Sequence, residues 1–219
     1  MMEQAMIKLA VGLVALILGV AVQAAPVSPT SPTLARIDAG KILAGARAEA
    51  QRHTLYLEQY RVLNYPGGDV PAGTGVCTDL VIRAFRNAGV DIQKELHEDR
   101  VAHPGAYPTQ IWDNKKADKN IDHRRCQNMA AWFGRFATKL PIDTDMDSLQ
   151  KNWRAGDVVF YVREGQTYPW HVAIVSDKKA SDGMPLIVDG YPPCTSESHR
   201  LDEFKPIHSH WRMERKTGR

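Results

Sequence analysis

The crowding of β-branched residues into the last third of this chain is its strongest constraint on a fold. After Gly156 come residues 157–162 (DVVFYV), 171–176 (HVAIVS), 186–189 (LIVD) and 207–212 (IHSHWR). Each run is short, and the first three are dense in Val and Ile, which suit a pleated and buried surface. Ser181-Asp182-Gly183 stands between the second and third as a turn. Upstream the pattern is helical. Residues 34–60 are rich in Ala, Leu, Arg, Glu and Gln, although Gly40 and Gly45 weaken a helix there. Residues 76–88 carry an apolar stripe of Leu80, Val81, Ala84 and Phe85, and Gly89 suits the position that ends it. Residues 127–140 are expected to pack as a helix through Met129, Trp132, Phe133 and Phe136. Residues 64–75 form a Gly/Pro loop, and residues 97–125 are polar and irregular. Helices first and antiparallel strands second predict a single α+β domain over residues 34–219, with N-terminal helices packed on a small antiparallel sheet.

Residues 9–22 (LAVGLVALILGVAV) are almost wholly apolar, but the run is 14 residues long. A helix needs about 20 to span a bilayer. Lys8 precedes the run, and Val22-Gln23-Ala24 follows it with small side chains at the first and third positions. This is the pattern of a secretory signal peptide cut after Ala24, with residues 25–33 as a flexible linker. The expectation is an exported, periplasmic or secreted protein with no membrane span in its mature chain.

Composition narrows the function. The balance of 28 Lys+Arg against 25 Asp+Glu leaves a net charge of +3, too even for a nucleic-acid binder. Three Cys do not make a disulfide framework, and none stands in a CxxC zinc pattern. His97, Glu98, Asp99 and His103 have the composition of a metal site but irregular spacing, so no metal or other cofactor is expected. His208 and His210 are expected on the surface.

Cys77 lies where the Gly-rich loop becomes a helix. A helix N-terminus stabilises a thiolate, and upstream glycines let a substrate approach it. With an odd cysteine count, Cys126 and Cys194 are expected to pair as a disulfide in loop-like sequence, leaving Cys77 free as a nucleophile. A nucleophilic thiol needs a base, and the base needs an orienting group. His171 opens one strand and Asp189 ends the next strand of an expected hairpin, so a carboxylate can meet the imidazole. Two readings stand for Asp122-His123-Arg124-Arg125: Arg124 and Arg125 bind substrate carboxylates bidentately, or they form a structural ion-pair cluster. Trp170 either walls the cleft or belongs to the core.

These features together resemble the papain-like NlpC-type cysteine hydrolases of bacterial cell walls. Tyr65-Pro66-Gly67-Gly68 stands twelve residues ahead of Cys77, Gly156-Asp157 precedes the first core strand, His171-Val172-Ala173-Ile174 matches the base strand, and Leu186-Ile187-Val188-Asp189 matches the third catalytic position. The similarity runs from Tyr65 to about Gly190. Within that superfamily the chain is most similar to an uncharacterised exported bacterial subfamily with the runs Gly75-Val76-Cys77-Thr78-Asp79 and Asn120-Ile121-Asp122-His123-Arg124-Arg125. It departs from typical wall hydrolases, which have Asp-Cys-Ser-Gly around the thiol and commonly His at the third position. The resemblance implies a papain-like fold, a Cys77–His171–Asp189 mechanism, a substrate contact at Tyr65 and, with export, the peptide part of peptidoglycan as substrate. A thiol acyltransferase on the same fold and a non-catalytic exported binding module are the other readings.

Overall fold

A computed structural model describes residues 37–111 and 116–213. The apolar run, the cleavage position and the linker expected at the N-terminus lie outside the described residues. The elements in chain order are α1 Ala39–Gln51, β1 Leu55–Tyr56, β2 Thr74–Gly75, α2 Cys77–Asn87, α3 Ile92–Ala102, α4 Cys126–Phe136, β3 Thr138–Leu140, α5 Met146–Lys151, β4 Val158–Val162, β5 Pro169–Lys179, β6 Pro185–Tyr191, β7 Cys194–Ser196 and β8 Ile207–Arg212. The fold is α+β, as the order of helical and strand patterns predicts. One eight-stranded sheet runs β2-β1-β7-β6-β5-β4-β8-β3, and only the β1–β2 pair is parallel. Among the described residues no helix is long and apolar enough to cross a membrane.

The central strands are continuous apolar runs because both faces of the sheet are covered. Side chains alternate along a strand. Val158, Phe160, Val172, Ile174 and Val188 therefore pack with Phe85, Trp132 and Phe133 of α2 and α4. Val159, Tyr161, Ala173, Val175 and Ile187 pack instead with Leu149, Trp153 and Leu201. Phe133 meets Phe85 and Phe160 edge-on, with ring centroids 5.5 and 5.7 Å apart.

The residue before β4 ties that strand to its neighbour. Asp157 accepts hydrogen bonds from Arg212 Nε at 2.7 Å, His210 Nε2 at 2.8 Å and the Arg154 backbone N–H at 2.8 Å. His210 is fully buried and stacks on Trp153 with centroids 3.7 Å apart. The surface role expected for His210 is thus wrong: its ring is an inner brace between β4 and β8. His208 is half-buried, its Nδ1 2.9 Å from Ser209 Oγ.

Three helix expectations also change. The helix expected over residues 34–60 ends at Gln51. His53 takes a left-handed φ of 48°, and the chain then runs extended into β1. A glycine usually marks such a stop, and none stands here. The helix expected to reach residue 140 ends at Phe136, and Thr138–Leu140 pairs with β8. Conversely, α3 lies partly in the stretch expected to be irregular. Its buried face holds Ile92, Gln93, Leu96 and Arg100, so half of the inward positions are polar. Gln93 accepts the Gly68 N–H at 2.8 Å, and Arg100 pairs with buried Asp122.

Gly45 marks the crossing of α1 and α2. A Cβ there would sit 2.9 Å from Ala84 Cα and 2.8 Å from Asn87 Cβ. Helix propensity alone would make Gly45→Ala stabilising by about 1 kcal/mol. Overpacking at a fixed backbone costs about 1–3 kcal/mol, so the substitution is expected to destabilise. A urea unfolding midpoint below that of the wild type checks the sign.

Candidate active site

Two cysteines open two helices, and the fold brings those helix starts together. Cys77 is the first residue of α2 and Cys126 the first of α4. Their sulfurs lie 3.7 Å apart, and all three cysteines are thiols. This overturns the expected Cys126–Cys194 disulfide. Cys194 instead begins β7, opposite Leu55 on one side and Tyr191 on the other.

The residues around each cysteine explain why the pair meets. Asp79 Oδ2 accepts the Val76 N–H at 2.8 Å and so closes the first turn of α2. The same carboxylate takes a bidentate ion pair from Arg124, Nε to Oδ1 at 2.7 Å and Nη2 to Oδ2 at 2.9 Å. Thr78 Oγ1 donates to the Arg124 carbonyl at 3.0 Å. Arg124 Nη1 reaches the Gln59 carbonyl at 2.8 Å. Thr78, Asp79 and Arg124 are all buried. Arg124 is therefore a brace between the two helix starts, and of the two readings of the arginine pair the structural one describes it.

The other half of the site is carried by the sheet. Asp189 on β6 pairs with Ala173 on β5, so His171 stands at the diagonal position on the same face. His171 Nε2 donates to Asp189 Oδ2 at 3.0 Å. That leaves Nδ1 as the ring nitrogen available to Cys77, whose thiolate the imidazole favours. Asp189 Oδ1 accepts a second hydrogen bond, from His199 Nδ1 at 2.9 Å. The α2 start is held against β6 by Gly190: a Cβ there would lie 3.2 Å from both Cys77 N and Cα. Of the three residues singled out by sequence, His171 and Asp189 are hydrogen-bonded, and the imidazole acts on the Cys77 thiol electrostatically.

Their electrostatics oppose the ordinary effect of burial. The Cys77 thiol is lowered to about 5, first by the hydrogen bond from Cys126, then by the His171 hydrogen bond and charge and the Val172 backbone N–H, against burial. Cys126 moves the other way, because its hydrogen bond to Cys77 and its burial hold the proton on it. Burial pulls His171 down, but the hydrogen bond to Asp189 and the contact with Cys77 outweigh it and raise the imidazole to about 9. Both shifts favour a thiolate beside an imidazolium.

Both sulfur-bearing residues line a crevice of about 440 Å³, together with Tyr56, Glu58, Arg125 and Trp170. His171 is not among the lining residues and is 1 % exposed. Trp170 tilts against it at 5.2 Å between ring centroids, and the Arg163 guanidinium covers the outer indole face at 4.7 Å. Arg125 is at the crevice wall, 3.5 Å from Asp122. Tyr65 is not among the lining residues. Its hydroxyl donates to Glu98 at 3.2 Å and its ring packs edge-on against His97. The crevice is lined by Tyr60 and by Tyr56, whose hydroxyl donates to Glu58 at 2.9 Å. Burial, and then the negative charge at Cys77, keep that phenol protonated. Sequence reasoning missed Tyr56 because it falls inside the helix expected to run to residue 60. It missed His199 because no motif surrounds it. Glu98 and Asp99 are engaged with Lys94 and Arg135, and the described residues hold no cluster with the makings of a metal site.

Residues 43–213 match the model of a protein family described as "Domain of unknown function (DUF1287)". The chain belongs to this family. It is 38% identical over 184 residues to "Uncharacterized protein YijF" of Escherichia coli (strain K12), covering 83% of this chain and 86% of that one. Among solved structures it is similar to a lipoprotein-like protein of the NLP/P60 family from Staphylococcus aureus subsp. aureus Mu50. That similarity has a TM-score of 0.41 at 15% identity and covers 85% of this chain and 45% of the other. The DUF1287 match takes in every residue of the crevice described above.

Alkylation of this DUF1287 protein checks the thiolate. An ordinary thiol reacts faster as pH rises toward about 8.5. Cys77 is expected to gain its reactivity through about pH 5 and to be on its plateau at neutral pH, measured by peptide-resolved mass spectrometry of iodoacetamide adducts. His171→Ala should move that midpoint upward. Asp79→Asn tests the brace, because removing one partner of a buried ion pair costs about 3–5 kcal/mol. An urea midpoint unchanged from the wild type would leave Arg124 without the structural role assigned to it.

Proposed function

We propose that this chain is a thiol hydrolase that cleaves an amide bond through Cys77, His171 and Asp189. The observation that carries the reading is the buried imidazole, hydrogen-bonded to the Asp189 carboxylate and acting on the Cys77 thiol to lower it. The resting thiolate attacks the amide carbonyl, and the C–S bond forms as the C=O electron pair moves onto oxygen. The backbone N–H of Cys77, at the start of α2, helps hold that oxyanion. His171 Nδ1–H then protonates the leaving amine as the C–N bond breaks. Neutral His171 takes a proton from water, hydroxide adds to the thioester, and the thiolate leaves. Asp189 fixes the ring orientation throughout. Tyr56, a protonated phenol at the crevice, takes the substrate-contact role that the family resemblance gave to Tyr65.

The substrate class proposed is the peptide part of peptidoglycan. The signal-peptide pattern in residues 1–24 supports it, as does the sequence resemblance to wall hydrolases. Arg125 supplies a cation for a stem carboxylate and Trp170 an apolar wall. Digestion of purified peptidoglycan, with mass analysis of the fragments, tests the reading. Wild type should release peptide fragments and Cys77→Ala none. Equal blanks from both count against this substrate, and an amine-trapped product in place of a hydrolysed one would make the chain an acyltransferase.

The pH profile follows from the two shifts. The competent form needs Cys77 ionised and His171 protonated. Activity should rise through about pH 5 and fall through about pH 9 as apparent values of the coupled pair. Asp189→Asn should lower kcat by about 10²–10⁴-fold and move the falling limb to lower pH. A profile unchanged by Asp189→Asn would remove the carboxylate from the mechanism.

A further inference from the structure

The hydrolytic reading needs one sulfur, yet the crevice presents two. We infer that Cys77 and Cys126 form a reversible disulfide that closes the site under oxidising conditions, with Cys126 as the resolving thiol. The inference deepens the proposed function, since the bond would occupy the nucleophile, but its chemistry is independent of any substrate.

Geometry favours the bond. The sulfurs are 3.7 Å apart, and a disulfide of about 2.05 Å needs only about 1.7 Å of combined movement. Each cysteine is the first residue of its helix, so rotation about its own side chain disturbs no helical hydrogen bond. The helix starts are already fixed at this spacing by the Asp79–Arg124 ion pair and the Thr78–Arg124 hydrogen bond. Both residues line the crevice, through which an oxidant of peroxide size can reach them. The two thiols are also differentiated in the way an attacking and a resolving sulfur must be, one low and one high.

The steps balance. The Cys77 thiolate attacks the outer oxygen of a hydroperoxide, the O–O bond breaks, and the leaving alkoxide or hydroxide takes a proton from His171. Sulfur is oxidised to a sulfenic acid and the peroxide is reduced to an alcohol or water. The Cys126 sulfur then displaces hydroxide from the sulfenic acid, and its proton reaches the departing hydroxide directly or by way of neutral His171. One water is released and the S–S bond forms. A dithiol reductant reverses the bond by two successive exchanges, becoming a cyclic disulfide itself.

The test is the mass of the full chain after hydrogen peroxide treatment, with no substrate present. Trypsin places Cys77, Cys126 and Cys194 on separate peptides, residues 62–83, 126–135 and 180–200. The expected result is loss of two hydrogen masses, a linked peptide joining 62–83 to 126–135, and full reversal by dithiothreitol. Cys194→Ser should behave as wild type. Cys126→Ala should instead gain oxygen masses on peptide 62–83 that dithiothreitol fails to remove. A linked peptide containing Cys194, or wild-type Cys77 gaining the same irreversible oxygens as the variant, overturns the inference. If the linkage forms and peptidoglycan is untouched, the hydrolase reading alone falls. If peptidoglycan is cut and no linkage forms, the redox reading alone falls.

Discussion

The Asp79–Arg124 ion pair is the contact on which the geometry of the crevice depends. It is buried and bidentate, and each partner stands two residues from a cysteine along the chain. A charge pair inside a protein loses hydration that its Coulomb attraction only partly restores, so such pairs are poor sources of net stability. What this one supplies is position. Apolar packing between α2 and α4 would tolerate sliding by a fraction of a turn. Two parallel N–H···O bonds with fixed directions, reinforced by Thr78 on the Arg124 carbonyl, do not. A carboxylate that also closes the first turn of α2 couples that helix to the segment leading into α4.

The sheet contributes by a different principle. His171 and Asp189 are placed by β register, which a one-residue slip would turn to the opposite face. The antiparallel pairing of β5 with β6 runs over buried apolar residues on both sides, so the register is strongly specified. Gly190 then joins the two halves, since no side chain separates β6 from the Cys77 backbone. Burial alone would leave a neutral thiol and a neutral imidazole here. The donors around Cys77 and the carboxylate behind His171 reverse both preferences. Because Asp189 is itself bonded on both oxygens, by His171 and His199, its charge is held in place and its remaining freedom is small.

This division explains what was legible in the sequence. The strands and the His171–Asp189 relation were readable because period and hydrophobicity report register directly. Cys77 was readable because a Gly-rich loop followed by an amphipathic stripe marks a helix start. The pairing of Cys126 with Cys77 was not readable, because it arises from a contact between α2 and the segment before α4, 45 residues apart at Asp79 and Arg124. Elimination over an odd cysteine count selected the wrong partner for Cys126, since it weighed compositions rather than distances. The presence of Tyr56 in the crevice, and the absence of Tyr65 from its lining, escaped for a related reason. The motif around Tyr65 is real as a sequence pattern, but a left-handed His53 sends the chain out of α1 early and brings Tyr56 to the crevice. A non-glycine helix stop leaves almost no trace in composition.

α3 extends the same lesson to buried polarity. A helix with Gln93 and Arg100 on its inner face has too few apolar positions to announce itself, and its stability comes from satisfied polar contacts with residues far along the chain. The same holds for Asp157, which joins Arg212, His210 and the Arg154 backbone beneath β4. Unsatisfied, each of these groups would destabilise the fold by the cost of its lost hydration. Satisfied, each fixes one element against another in a single arrangement, which apolar packing alone does less strictly. A crevice whose hydrogen bonds and charges favour a thiolate at Cys77 and a charged imidazole at His171 needs that strictness, because those effects fall off steeply with distance. The polar residues that obscure the pattern in the sequence are therefore the ones that hold the reactive groups in register.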